Sequence, residues 1–73
     1  MDNILAHIHI FKTNIQKENL GDIKKAFRNK SVAQWTVDTE DCDHVLRVVS
    51  HEMTESEIIQ LVSQYGFECA DLT

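Results

Sequence analysis

The spacing of apolar residues switches between two and three-to-four along this chain, in an order that few architectures satisfy. Residues 4–11 alternate, with Ile4, Ala6, Ile8 and Ile10 on one face and Leu5, His7, His9 and Phe11 on the other. Period two of this kind marks a strand with one face on a core, and the β-branched content agrees. A polar connection over 12–18 follows, and then the step lengthens. Leu20, Ile23 and Phe27, with Ala26 beside them, predict a helix over 18–29. Asn19 or Asn14 can cap its start, and Gly21 weakens its first turn by up to ~1 kcal/mol relative to alanine. Period two returns over 32–38, where Trp35 and Val37 share a face, and again over 44–50, where Leu46 and Val48 alternate with Val45, Arg47 and Val49. The four acids between Asp38 and Asp43 make the connection a polar turn.

Thr54-Glu55-Ser56-Glu57 is the strongest local signal. A threonine hydroxyl can accept from the N–H three residues on, while the glutamate there reaches back to the threonine N–H, and the pair opens a helix. Ile58, Leu61, Val62 and Tyr65 then recur at helical spacing, Gly66 supplies a left-handed stop, and residues 67–70 read as a short last strand. The order is strand, helix, strand, strand, helix, strand. Two βαβ units joined by a hairpin predict an α+β, ferredoxin-like βαββαβ plait, a four-stranded antiparallel sheet with both helices on one face. The 73 residues suffice for one such domain, spanning 1–73, with one modest core. That core is expected to take Ile8 and Ile10 from the first strand, Leu20, Ile23 and Phe27 from the first helix, and Val32, Trp35 and Val37 from the second strand. Leu46, Val48, Ile58, Leu61, Val62 and Phe67 complete it. Leu5, Phe11, Val45 and Val49 would then lie on the open face beside His7 and His9, as an apolar interaction face for a protein partner or a second copy.

Twelve acids against seven Lys and Arg give a net charge of −5. Phosphate backbones and anionic membrane repel such a chain, so neither nucleic acid nor membrane is an expected partner. Lys24, Lys25, Arg28 and Lys30 fall close together and read first as a solvated helix face. The N-terminal residues lack the basic flank and long apolar centre of a secretory signal, which predicts a cytoplasmic protein with Cys42 and Cys69 reduced. No nucleophile with an adjacent base and no glycine-rich phosphate loop can be placed, so the chain is not read as an enzyme.

Several segments together resemble one family. The Leu20…Ile23…Ala26-Phe27 stripe, Ser31-Val32 leading into Trp35-Thr36-Val37-Asp38, and Tyr65-Gly66-Phe67-Glu68 are similar to the first helix, second strand and second helix end of the heavy-metal-associated domain. This is the fold of copper chaperones. The resemblance covers nearly the whole chain and implies the same plait. It also implies a Met-x-Cys-x-x-Cys loop between the first strand and first helix, in which two thiolates hold a soft ion. Aligned on Ala26-Phe27, the two cysteine places fall on Gln16 and Asn19, within a loop that also holds Asn14 and Lys17 and contains no cysteine. The chain resembles a member of this family with a degenerate metal loop.

Two other groups carry metal-ligating side chains. His7 and His9 share a strand face about 6–7 Å apart along the strand, and imidazole suits Cu(II), Zn or Ni. Cys42 and His44 flank Asp43 in the acidic turn. The expectation is a non-enzymatic binding module without a cofactor. The alternative is a carrier or sensor in which histidines hold a transition metal ion.

Overall fold

The computed structural model describes residues 7–72. Strand β1 is His7–Thr13, and a single 3-10 turn, Lys17–Asn19, leads into helix α1, Leu20–Phe27. The antiparallel strands β2, Gln34–Asp38, and β3, Val45–Ser50, precede helix α2, Glu55–Gln64, and strand β4, Cys69–Asp71, ends the plait. The sheet order is β2-β3-β1-β4 and every neighbouring pair is antiparallel, so the expected ferredoxin-like topology is the observed one.

Local chemistry accounts for the boundaries. Thr54 Oγ1 accepts from the Glu57 N–H at 3.2 Å and the Thr54 N–H donates to Glu57 Oε1 at 2.8 Å, the reciprocal cap that starts α2. Gly66, at φ +90°, takes the left-handed conformation that stops it. The first turn predicted for α1 is instead 3-10. There the Gln16 N–H donates to Asn19 Oδ1 at 2.9 Å and the Asn19 N–H donates to the Gln16 carbonyl. Helix α1 ends at Phe27 because Arg28 is extended and Asn29, at φ 62°, turns the chain back toward β2.

The core consists of Phe11 and Ile15, Ile23 and Phe27 of α1, Leu46 and Val48 of β3, and Ile58 and Val62 of α2. Leu20, Val32, Trp35, Val37, Leu61 and Phe67 are partly buried against it, as the periodicity predicts. The exception is β1, whose faces are reversed. Phe11 is fully buried, whereas Ile8 is 61% exposed and Ile10 only half-buried. A shift of one residue in phase moves every side chain of a strand to the other face. The phase is set beyond the predicted end of the strand. β1 runs on to Thr13, and the odd-numbered series Phe11, Thr13, Ile15 leads inward, with Ile15 fully buried. Burying a phenylalanine and an isoleucine, each worth roughly 1.5–3 kcal/mol, outweighs leaving Ile8 in water. Residues 4–6 of the predicted strand lie outside the described residues.

A buried hydroxyl closes the other end of the sheet. Ser50 is fully buried. Its Oγ donates to the Ser31 carbonyl and accepts from the N–H groups of Glu52, at 3.2 Å, and Met53, at 3.0 Å. This hydroxyl joins the β2 approach to the β3–α2 turn. Ser50→Ala strands those groups at a cost of about 1–3 kcal/mol. The urea midpoint should fall accordingly, with the m-value unchanged; an unaltered midpoint would refute the role.

Candidate interaction face and the first loop

The strand register lays out the face that no helix among the described residues covers. Ile8 lies beside Val49 and Val49 beside Gln34, which makes one row across the sheet. Ile10, Arg47 and Thr36 form the next, and Leu72 joins it by donating its N–H to the Ile10 carbonyl. Ala70, Lys12, Val45 and Asp38 form the third, Lys12 following Phe11 in register. Ile8 and Leu72, 39% exposed, are two of the three large apolar side chains standing exposed among the described residues. Ile10, Val45 and Val49 are half-buried around the exposed Arg47. Lys12 pairs with Asp43 at 3.7 Å, largely in solvent, where such a pair contributes about 0–1 kcal/mol.

Val45 and Val49 are where the sequence places them. Phe11 is not: it belongs to the core, for the reason of phase given above. Leu5 lies outside the described residues. Ile8 and Ile10 take the places expected for Leu5 and Phe11. The signal that could have found them is the run Phe11, Thr13, Ile15, which extends the odd-numbered face past the predicted strand end.

The reversal also moves His7 and His9 to the helix side of the sheet, next to Ser50 and Val48 in register. Their ring centroids are 6.2 Å apart, and His9 lies 6.3 Å from Phe11 in a stacked arrangement. His9 Nε2 is buried with no hydrogen-bond partner among the described residues. An orphaned buried nitrogen costs stability.

The first loop is closed by its own backbone and side chains. The Glu68 N–H donates to Asn14 Oδ1 at 2.8 Å, and Gln16 and Asn19 bond to each other as described. Thr13 Oγ1 donates to the His44 carbonyl and accepts from the Ile15 N–H at 3.1 Å. His44 Nδ1 lies 2.7 Å from the Ile15 carbonyl. A carbonyl only accepts, so Nδ1 carries the proton of this bond. Lys17 and Gln16 are exposed. No thiol stands in this loop, and Gln16 and Asn19 are bonded to each other.

His44 is therefore a clasp between the β2–β3 turn and the first loop, and it does not join Cys42. Asp41, Cys42 and Asp43 come together, with ligand atoms all within 4.8 Å. Asp41 Oδ1 accepts from the Asp43 N–H, and Asp38 Oδ1 from the Glu40 N–H, the local bonds by which aspartates build turns. Among the described residues this is the one group of three potential ligands, and neither His7 nor His9 belongs to it.

The two thiols differ. Cys42 is exposed, whereas Cys69 is half-buried on β4. Desolvation by burial pushes its pKa from 9.0 up to about 11. At pH 8 only about one Cys69 in a thousand is then a thiolate, the form that reacts with electrophiles. Limited alkylation with iodoacetamide at pH 8, read by peptide mass spectrometry, should label Cys42 well before Cys69. Equal labelling would refute the burial of Cys69.

No protein-family model, curated protein or solved structure matches this chain.

Proposed function

We propose that this chain is a non-enzymatic binding module with a heavy-metal-associated-like fold that has lost the dithiolate site, and that it engages a protein partner or a second copy through the open face of its sheet. The observation that carries the reading is the exposure of Ile8 beside Val49, Ile10 and Leu72 on a face that no helix among the described residues covers. Contiguous exposed apolar surface marks interaction sites more often than scattered apolar residues do. The strand order β2-β3-β1-β4 is the one the family resemblance implies, and the amide-closed first loop supports the loss of soft-metal transfer. No helix among the described residues is long and apolar enough to cross a membrane.

The test is charge on the face. Ile8→Asp and Val49→Asp lie on the solvent side and should leave the circular dichroism spectrum unchanged. Both should abolish concentration-dependent association in sedimentation velocity, or the capture of partners that the unaltered chain captures. If both variants associate and capture as before, the reading fails.

A second reading has one observation in its favour. The unpartnered Nε2 of His9, beside His7, is the kind of atom that a metal ion would satisfy. On the first reading, NMR titration with Cu(I) and then Zn under reducing conditions leaves the spectrum unmoved. Saturable shifts confined to His7 and His9 would favour a histidine-based carrier instead.

A further inference from the structure

The segment from Ile23 to Val37 contains no acid, in a chain that carries twelve, yet it holds four of the seven Lys and Arg: Lys24, Lys25, Arg28 and Lys30. Among the described residues none of these four is in an ion pair, while Lys12 has found Asp43. Cations in the last turn of a helix offset its dipole, which accounts for Lys24 and Lys25. It does not account for what Lys24 and Arg28 border. The two lie one helical turn apart and so on one side of the helix end. They line a hollow of about 420 Å³ between α1 and the sheet-edge strand β2. Phe27, Val32 and Trp35 supply its apolar wall, and Gln34 adds an amide. The rings of Phe27 and Trp35 are 5.8 Å apart and tilted by 40°. Trp35, the chain's single tryptophan, is only partly buried.

We propose that this hollow binds small organic anions built on a planar ring. The volume lies in the range of small-molecule sites, about 300–1,000 Å³. A ring gains apolar contact with Trp35 and Val32. An oxyanion on that ring reaches the Arg28 guanidinium, whose planar fork matches carboxylate and phosphate alike, and the Lys24 ammonium. The surplus of acids elsewhere on the chain disfavours a long polyanion such as duplex nucleic acid, so the fit is to a small anion. The hollow lies at the β2 edge, where Phe27, Val32 and Trp35 belong to the helix side and Gln34 alone is shared with the open-face row; the proposal does not depend on the interaction reading.

The full chain is titrated with adenosine 5′-monophosphate and, separately, with benzoate. Adenosine and inorganic phosphate, each alone, are the controls. The readouts are Trp35 fluorescence and the proton–nitrogen NMR resonances of Trp35, Lys24 and Arg28. Saturable shifts at these three residues with either ringed anion support the proposal. A response to only one of the two ringed anions still supports the proposal and shows which ring and anion together fit the hollow. Each control should bind at least about tenfold more weakly, as expected for a site that needs both contacts. Lys24→Glu and Arg28→Glu are exposed substitutions and should each weaken binding at least about tenfold while the spectrum stays folded. Ile8→Asp should leave the titration unchanged. Absence of saturable shifts with both anions at millimolar concentration would overturn the proposal, as would equal affinity in the Arg28→Glu variant or a response to adenosine as strong as to its phosphate.

Discussion

The phase of β1 against β3 is the constraint from which the rest of the structure follows. These two strands are the middle of the sheet, paired from His7 with Ser50 to Phe11 with Leu46. Their shared helix-side face carries His9, Phe11, Leu46 and Val48, and both helices pack on it. The phase is pinned at one end by Thr13, whose hydroxyl is bonded to both Ile15 and His44. Once Thr13 and Ile15 turn inward, Phe11 must as well, and Ile8 and Ile10 must face out. The apolar open face is thus a consequence of how the core is filled.

The fold was legible because its signals are local and agree with one another. The reciprocal cap at Thr54 and Glu57, the stop at Gly66 and the stripes of both helices each specify an element without help from distant residues. Strand faces are not local in that way. β1 carries apolar residues in both phases, so its own alternation fits either. Only packing decides between them, and the deciding residues, Thr13 and Ile15, lie in what reads as a polar connection. The candidate site inherited this ambiguity. Val45 and Val49 were legible because Leu46 and Val48 on the same strand are plainly the core set. Ile8, Ile10 and Phe11 were exchanged, and His7 and His9 moved with them. The role of His44 was illegible for a different reason. Its bond to the Ile15 carbonyl joins residues 29 apart in sequence, and nothing in the acidic turn announces it.

In the first loop Asn19 closes onto Gln16, Asn14 holds the start of β4 through Glu68, and His44 holds the Ile15 carbonyl. Each of these hydrogen bonds is worth about 0.5–1.5 kcal/mol net, and together they tie the loop to the β2–β3 turn and to β4. A loop fixed in this way serves stability.

A chain of this size with helices on one side of its sheet cannot cover both sides. The core it can fill is small, and the described residues place their large apolar side chains unevenly over the remaining surface. Ile8 and Leu72 cluster on the open face around Arg47, on the far side of the sheet from the α1 cations. Charge is distributed just as unevenly: acids gather at the β2–β3 turn, where they build the turn itself, and cations gather at the end of α1. The helix dipole favours cations in the last turn of α1, but it does not require that Lys24 and Arg28 border a hollow walled by Phe27, Val32 and Trp35. Both concentrations, apolar on one side of the sheet and cationic on the other, leave groups without partners among the described residues. That shared property is why each is read as a surface directed outward, and why the two can be tested by substitutions that leave the core untouched.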